Sequence, residues 1–456
     1  MDSVVSRPKA RAGVTIGSHF LVDVLSFVGV SLLPLFAVTL GMTTEQKALL
    51  LGLGSLCSGV VQPIVAWVSD KFDTRVISTL GLITAAVCIG TFGYAQNFTQ
   101  LAILYSLGAA GVGAFHPPAA AITGQLGGSK RSKYVAFFFL AGMVGGMTGN
   151  LLIPSYVDLM TPRIDGVANA QTGLRSLIYL IPLGIVAAFF LARAIHGVGH
   201  RNTHAKDSHV HWDERERRSR WFAVAILYIC NTMRFSVNMA LIYLLVEWSS
   251  EIVLAENTQG TLNKDLGIRA SQLNGMLQAS MQIGMGGMGI ILGLILTAKY
   301  EKLAFILFPV VGSIAILFIP RSHLLFGDTV IPVVMAITVC SGMGFGAVIP
   351  ISISLAQRLL PHRTSLASGL MLGGAWMLAF TGPLVAEIVH KGLAQKPSAP
   401  GWLLDAVAAL PDPVSAPLLE GMGLTAGFTC TAVLLFSAGM LANLLPAELV
   451  RRVARD

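Results

Sequence analysis

The chain has 456 residues, of which 54% are hydrophobic and only 12% are charged, and its mean hydropathy is +0.71. This composition excludes a soluble globular protein and is typical of a chain that crosses a membrane many times. The net charge of +8 does not indicate nucleic-acid binding, because the basic residues are spread over many connections instead of forming one patch. We therefore expect the lipid bilayer, and no nucleic acid, around this chain.

Twelve apolar segments, most of them at or above the ~20 residues that a membrane-spanning helix needs, follow one another along the chain. In order they cover residues 14–40, 46–68, 76–94, 101–122, 134–157, 174–196, 221–248, 271–298, 303–319, 329–357, 365–390 and 419–445. A charged segment separates the sixth from the seventh. We predict an all-α polytopic membrane protein of 12 transmembrane helices, with an N-terminal six-helix bundle (1–196), a linker (197–220) and a C-terminal six-helix bundle (221–456).

The fourth and tenth segments share an unusual sequence. The fourth contains GVGAFHPP at residues 111–118, the tenth contains GFGAVIP at residues 344–350, and a Thr-Gly pair follows each at the same offset, at residues 148–149 and 381–382. Small residues let helix backbones approach closely, and Pro removes a backbone donor, so we expect these helices to face protein and not lipid. The repetition predicts a duplicated domain with pseudo-symmetric halves.

A second repeat lies at the entry to the second segment of each half. LGMTTEQ at residues 40–46 matches LGIRASQ at residues 266–272. In both copies we expect the Gly to end one unit and the Thr or Ser to cap the next helix. Repeats in the same order favour two parallel halves related by an axis along the membrane normal.

Lys and Arg are distributed unevenly between the two sides of the predicted membrane. The termini and even-numbered connections hold 22 of the 31, the odd-numbered connections hold 8, and Arg234 is the remaining one. Because cytoplasmic connections carry the excess of basic residues, both termini are predicted to be cytoplasmic.

Three ionisable residues lie at membrane depth in the first half: His19 and Asp23, one helical turn apart, and His116. A charged group at a helix centre costs about 2.5 kcal/mol or more unless it is paired or hydrated. We assign all three to proton coupling, since a carboxylate and an imidazole in a partly dry cavity exchange protons near neutral pH. The alternatives are that Asp23 bonds backbone at a helix break, that His116 caps carbonyls freed by the prolines, and that His19 extends to the inner interface.

Arg234 lies near the middle of the seventh segment, with Asn231 and Asn238 on the same helical face, and Gln278 and Gln282 form a polar stripe on the eighth. A guanidinium stays charged and needs acceptors, which a substrate carboxylate, phosphate or phosphonate would supply. We predict that these five residues bind substrate. An internal Arg–Asp pair that locks a gate and a purely structural pairing are the alternatives.

The remaining polar residues give weaker indications of a functional site. Glu247, Asp158 and Glu387 fall near outer helix ends, where we expect them at the surface. The linker histidines lie among charged residues typical of a solvated loop, so neither a metal site nor a cofactor is predicted. Residues 392–420 form a long outer connection, whose part 402–410 we expect to be a short amphipathic helix. The absence of a nucleotide-binding Gly-Lys-Ser/Thr loop argues against ATP use, and we expect no enzyme.

The connection after the second segment carries a family signature. AWVSDKFDTR at residues 66–75 resembles the Gly-x-x-x-Asp-Arg-x-Gly-Arg-Arg pattern of the major facilitator superfamily. Asp70, Lys71 and Arg75 match this pattern, whereas Ala66 and Asp73 replace its glycines. The resemblance implies a gating loop that retains these three charges in a different shape.

Within that superfamily the chain resembles the fosmidomycin-resistance branch of drug exporters. The residues that carry the resemblance are HFLVD at 19–23, GAFHP at 113–117, Arg234 and ASGLMLG at 367–373. It implies a monomeric secondary transporter of the bacterial inner membrane, which exports a small organic, anionic or drug-like molecule in exchange for protons by alternating access. A proton-coupled importer of a small organic anion, and a sensor of the same fold that binds without net transport, are the alternatives.

Overall fold

A computed structural model of the chain describes residues 7–71, 75–198, 212–256, 263–322 and 330–453. Within these residues, 12 helices are long and apolar enough to cross a membrane, which confirms the all-α prediction. We number them as spans 1–12 in chain order. The end of the bundle that carries the connection between spans 1 and 2 is called the outer end, as the distribution of basic residues predicts.

The first half contains spans 1–6. Span 1 is broken into Pro8–Ser26, Val28–Ser31 and Leu33–Leu40. Spans 2–5 are Thr44–Lys71, Arg75–Gly90, Phe98–Leu126 and Arg131–Leu159. Span 6 consists of Ala170–Arg175, the 3-10 turn Ser176–Tyr179 and Leu180–Ile195. An antiparallel hairpin of Arg163–Ile164 with Val167–Ala168 lies between spans 5 and 6.

The second half contains spans 7–12. Span 7 is the long helix Glu214–Ala255, and spans 8 and 9 are Lys264–Ile295 and Glu301–Phe318. Span 10 is broken into Val330–Gly346 and Ile349–Leu359. Span 11 comprises Thr364–Gly369, the π-helical turn Leu370–Gly374, Ala375–Leu378 and Thr381–Lys391. The outer connection carries Gly401–Ala408 and Asp412–Glu420, span 12 is Gly423–Leu441, and a last helix covers Ala447–Val453.

The first glycine of each repeated motif packs against the preceding span. A methyl group on Gly111 of span 4 would lie 2.7 Å from the carbonyl oxygen of Gly81 in span 3. A methyl group on Gly344 of span 10 would lie 3.0 Å from the backbone nitrogen of Gly312 in span 9. Only glycine permits both approaches, so the two halves use the repeat for the same helix crossing.

The second glycine of each motif packs against a different helix, span 2 in the first half and span 8 in the second half. A methyl group on Gly113 would lie 2.7 Å from the carbonyl oxygen of Ser58 in span 2, and one on Gly346 would lie 2.6 Å from Cβ of Met285 in span 8. All four motif glycines are buried. The prediction that they face protein is therefore confirmed, and the duplicated sequence makes corresponding contacts in the two halves.

The other repeat behaves differently in the two halves. In the first half, Gly41 ends span 1 with φ 62° and the hydroxyl of Thr43 accepts a hydrogen bond at the start of span 2. In the second half the predicted cap is wrong, because the side chain of Asn263 caps span 8 earlier. Ser271 consequently lies inside the helix, where its hydroxyl accepts a hydrogen bond from the backbone N–H of Leu35 at 3.1 Å.

Span 8 forms polar contacts with the first half toward the outer end. Asn274 of span 8 donates to the carbonyl of Val30 at 2.9 Å, in the broken part of span 1. Gln272 donates to the carboxylate of Asp158 at 3.0 Å, at the end of span 5. Ser271 and these two side chains thus fasten span 8 to the first half.

Candidate functional site

The three predicted proton-coupling residues lie together between spans 1, 4 and 5. Nε2 of His116 lies 3.3 Å from Oδ1 of Asp23, and Nε2 of His19 lies 3.5 Å from Oδ2 of the same carboxylate. The side chain of His19 is buried, while those of Asp23 and His116 are 18% and 25% exposed. The structure therefore forms one partly shielded cluster from residues that the sequence separates widely, which we call the coupling cluster.

Both imidazoles of the coupling cluster are fixed through Nδ1. Nδ1 of His19 donates to the carbonyl of Phe138 at 2.5 Å, and Nδ1 of His116 donates to the carbonyl of Val112 at 2.7 Å. Because a carbonyl only accepts, each Nδ1 carries a proton, and in a neutral ring Nε2 is then a bare acceptor. A bare Nε2 beside a carboxylate oxygen places two lone pairs against each other. Each contact with Asp23 is therefore favourable only when a proton lies in it.

The ring of His116 does not cap the carbonyls freed by the prolines, which was the alternative role for this residue. Pro117 has no backbone N–H, so it frees the carbonyl of Gly113, one helical turn earlier. The ring of His116 bonds instead to Val112. Span 4 continues as a helix past this point. The imidazole of His116 therefore belongs to the coupling cluster and does not replace the backbone hydrogen bonds that the prolines remove.

Aromatic rings and a glycine enclose the cluster. The ring of Phe138 stacks on that of His19 with centroids 3.8 Å apart, and the ring of Phe115 lies 6.0 Å away. A methyl group on Gly142 of span 5 would lie 2.5 Å from Oδ2 of Asp23. The sequence did not indicate that Phe138 and Gly142 lie beside the cluster, because no local pattern links span 5 to span 1. The glycine-rich stretch 142–149 was the available signal.

The donor set of the coupling cluster also suits a cation other than a proton. The ligating atoms of His19, Asp23 and His116 all lie within 4.8 Å of one another. Two imidazoles and a carboxylate are ligands that zinc and similar ions accept. Experiments on proton coupling at this cluster therefore require solutions freed of such ions.

Arg234 is fully buried inside the second half. Its Nη1 donates to Oδ1 of Asn231 and its Nη2 to the carbonyl of Phe305 in span 9, both at 3.2 Å. Its Nε has no partner in the described part of the chain. Asn231 in turn donates to the hydroxyl of Ser352 at 2.7 Å. Among the described residues no carboxylate pairs with this guanidinium, so the internal Arg–Asp pair is not what the structure contains there.

The other predicted substrate residues lie nearer to the first half. Gln278 donates to the carbonyl of Ile242 at 3.2 Å and to Oδ1 of Asn274 at 3.1 Å, and Asn274 contacts span 1. Within the described residues, Oε1 of Gln278 and Oδ1 of Asn238 have no partner. Gln282 lies one turn further along the stripe and is buried. Gln278 is thus linked through Asn274 to span 1 at the boundary between the halves, which we call the seam, whereas the hydrogen-bond partners of Arg234 all belong to the second half.

The predicted gating loop lies outside the described part of the chain. This applies to the side chains of Asp70, Lys71 and Arg75 and to residues 72–74 altogether. Most of the linker, residues 199–211, lies outside it as well. The roles assigned to these residues stay predictions.

Of the three carboxylates near outer helix ends, Glu247, Asp158 and Glu387, two are buried and not at the surface. Glu247 and Glu387 are 6% and 1% exposed, so their expected surface position is wrong. Their partners, Lys47 and Lys396, are distant in sequence, which is why helix-end position alone misleads. Asp158 is more exposed and accepts a hydrogen bond from Arg163 at 2.7 Å, which raises the pKa of Arg163.

A protein-family model matches most of the chain. Residues 15–383 match the model of the Major Facilitator Superfamily. Two proteins of Bacillus subtilis (strain 168) are similar over shorter regions. The multidrug transporter protein MdtP is 28% identical over 144 residues, 31% of this chain and 24% of MdtP. The uncharacterized MFS-type transporter YfnC is 23% identical over 176 residues, 38% of this chain and 42% of YfnC. The matches therefore span less than half of either relative.

Solved structures resemble the chain over nearly its whole length. A bacterial homologue of the human drug peptide transporters PepT1 and PepT2 has a TM-score of 0.65 at 16% identity and covers 98% of this chain and 99% of its own. A bacterial homolog to the human lysosomal transporter Spinster, in an inward-facing and unoccupied conformation, has a TM-score of 0.60 at 14% identity, covering 98% of each chain. At these identities the likeness shows the fold alone.

Proposed function

The chain belongs to the major facilitator superfamily and is a multi-pass membrane transporter of that type, and we propose that it exports a small organic molecule in exchange for protons. The observation that carries the proposal is the coupling cluster, where two contacts inside the membrane each require a proton. We assign the chain to the fosmidomycin-resistance-like branch and to the bacterial inner membrane, as a monomer with cytoplasmic termini. Residues 1–196 and 221–456 would be the two bodies that move in alternating access.

Proton occupancy of the cluster is linked to helix packing. With a proton in each contact, Asp23 attracts both imidazoles and holds spans 1 and 4 together. Loss of one proton leaves a bare Nε2 against a carboxylate oxygen, and in surroundings of low dielectric this repulsion is strong. Span 1 also packs against span 8 of the second half, so we expect proton release to favour a different arrangement of the two halves.

The proposed substrate site lies at the seam beside Asn238, Gln278 and Gln282. Their amide groups supply hydrogen bonds, and two amide oxygens lack partners in the described residues. Arg234, with Asn231 beside it, contributes charge from behind the seam, because an uncompensated guanidinium acts over more than one helical turn in a low dielectric. These features support an organic anion, and the similarity to a multidrug transporter supports a drug-like one.

Transport in proteoliposomes tests the proposal and separates the alternatives. Purified protein would be given small organic anions and amphiphilic drugs, with and without an imposed pH gradient, in solutions treated with a chelator. We expect export to be driven by the gradient. Uptake driven by the gradient would favour the importer, and binding without flux would favour the sensor.

Variants of the cluster test its role. Asp23→Asn is expected to retain binding and exchange but to lose accumulation against a gradient, and His116→Ala to shift the pH dependence without abolishing exchange. Asp405→Asn, an exposed carboxylate of the outer connection, is the matched control and should behave as wild type. If Asp23→Asn still concentrates substrate as wild type does, the proton carrier lies elsewhere.

A further inference from the structure

Three charged side chains are buried at the outer ends of spans 2, 7 and 11. Lys47, Glu247 and Glu387 are 8%, 6% and 1% exposed, although helix ends normally leave such groups in water. Burying a charge is unfavourable unless it is paired, and a pair breaks when one partner loses its charge. Charges placed here therefore make the packing of the outer end sensitive to their protonation.

These charges fasten the first half to the second. Lys47 of span 2 forms an ion pair with Glu247 of span 7. Thr44, at the start of span 2, donates to Glu387 of span 11 at 3.3 Å. The first turn of span 2 thus contacts two spans of the other half through two buried carboxylates.

The long outer connection takes part in the same network. Lys396 pairs with Glu387, and the hydroxyl of Ser398 donates to the carboxylate of Glu45 in span 2. The two ends of the connection are held together, since the N–H of Leu393 donates to the carbonyl of Leu418 at 2.8 Å. The connection is therefore fixed to span 11 and presents its cation and hydroxyl to the outer contact between the halves.

A path of polar groups leads from water to the buried carboxylates. Nε2 of His390 lies 3.7 Å from the carboxylate of Glu251, which is 54% exposed. Nδ1 of His390 lies 3.3 Å from the hydroxyl of the fully buried Tyr243, and Tyr243 lies one helical turn from Glu247 on span 7. An imidazole between an exposed and a buried group is suited to pass protons.

We infer that this outer network is a second proton-binding site, separate from the coupling cluster, which keeps the outer end closed when its carboxylates are charged and releases it when they are protonated. A proton on Glu247 leaves Lys47 of the first half buried without a counter-charge, whereas opening exposes that lysine to water. A proton on Glu387 weakens the hydrogen bond that its carboxylate accepts from Thr44 of the first half, and also its pair with Lys396. Acid outside the membrane therefore favours the open outer end. This inference concerns gating and does not depend on the identity of the substrate or on the role of Asp23.

The sign of the effect survives the other charges nearby. A proton on His390 strengthens its contact with Glu251, but both residues belong to the second half, so this contact does not hold the two halves together. Span 12, which packs against span 11, contributes no acidic or basic side chain. The acidic and basic groups of the network and its neighbours are Glu45, Lys47, Glu247, Glu251, Glu387, His390, Lys391 and Lys396, with the exposed Asp412 and Glu420 on the short helix that packs against span 11. On span 8, which packs against span 7, Arg269 pairs with Glu256 at 3.0 Å.

Distances across the outer end test the inference. Spin labels on Thr99→Cys of span 4 and Ala255→Cys of span 7, both exposed, would be measured in the full-length protein in nanodiscs, with native cysteines replaced. We expect the longer distance to gain population severalfold when the pH falls from 8 to about 4, where carboxylates in water begin to take up protons. Glu247→Gln and Glu387→Gln should show the longer distance already at pH 8.

Two controls make the result specific. Glu301→Gln removes a carboxylate that pairs with Arg358 at 2.7 Å at the opposite end of the second half, and it should leave the outer distance unchanged at every pH. The pH response should persist in Asp23→Asn. A wild-type distance that does not change with pH, or a response that disappears in Asp23→Asn, would overturn the inference, and neither depends on the folding of the glutamine variants.

Discussion

At the scale of single residues, the coupling cluster depends on how closely span 5 approaches span 1. Gly142 has no side chain at the point where Asp23 and His19 converge. The carbonyl of Phe138, one turn away on the same span, fixes the tautomer of His19. Span 5 therefore contributes to the cluster through a carbonyl, a ring and an empty space, while its carboxylate Asp158 binds Arg163 and Gln272 at the outer end.

Gly142→Ala should consequently uncouple transport with little loss of stability. The added methyl group would lie 2.5 Å from Oδ2 of Asp23 and 2.6 Å from Nε2 of His19, so the side chains must move apart while the backbone remains in place. We expect accumulation driven by a pH gradient to fall about 10- to 100-fold, the range for a displacement near 1 Å of a reacting group, while exchange continues.

The control for this prediction is Gly17→Ala in span 1. A methyl group there meets no atom within 4 Å, so transport and thermal stability should both remain as in wild type. Equal accumulation by Gly142→Ala and Gly17→Ala would mean that the contacts of the cluster do not govern coupling.

The buried position of Arg234 changes what its substitution should do. A substrate that touched the guanidinium would lose affinity even in Arg234→Lys, because the planar donors are gone. A charge that acts from behind the seam survives that change. We expect Arg234→Lys to retain most of its preference for organic anions, and Arg234→Ala to lose about tenfold in affinity for anions, about 1.4 kcal/mol.

Binding of matched charged and uncharged ligands would measure this. Affinity for the uncharged ligand should be the same in wild type, Arg234→Lys and Arg234→Ala. Equal loss for both ligands would instead assign Arg234 to the packing of spans 7 and 9, where it contacts Asn231 and Phe305.

At the scale of helices, apolar length and repeated glycines were sufficient to predict 12 spans and the crossings of spans 4 and 10. These features are local, or repeat at a fixed offset, and are therefore visible in sequence. The breaks in span 1 were not predicted. The carbonyl of Val30 is satisfied by Asn274, 244 positions away, and such a partner has no local signature.

The candidate site was predictable to a similar degree. His19, Asp23 and His116 stood out because ionisable groups are costly in a membrane, and the structure brings them together. Glu387 did not stand out, because its burial arises from Thr44 and Lys396 in two other elements. Residues whose role depends on distant partners are the ones that composition and spacing miss.

At the scale of the whole molecule, the two halves share their helix contacts but not their ionisable groups. Gly113 and Gly346 pack in corresponding places. The coupling cluster lies in the first half, whereas Arg234, Glu247 and Glu387 lie in the second. In the mechanism we propose, duplication supplies a symmetric frame that rocks, and the unequal charges determine which arrangement of the halves each proton favours.

The orientation of that frame sets the direction of coupling, and it can be tested directly. The predicted cytoplasmic side holds 22 of the 31 Lys and Arg residues, so both termini should face the cytoplasm. The side chain of Trp402, on the outer connection, is 71% exposed, and that of Arg218, at the start of span 7, is 78% exposed. In a background without native cysteines, a membrane-impermeant maleimide should label Trp402→Cys in intact cells and Arg218→Cys only after permeabilisation.

The opposite labelling pattern would mean that the molecule lies in the membrane in the reverse orientation. The outer network would then meet cytoplasmic water, and the buried pairs of Glu247 and Glu387 would respond to the pH of the cell interior. An inward proton gradient would no longer favour opening of the end that releases substrate, so export driven by protons would be lost as a mechanism. The labelling of these two exposed positions therefore decides whether the outer network faces the outside or the cytoplasm.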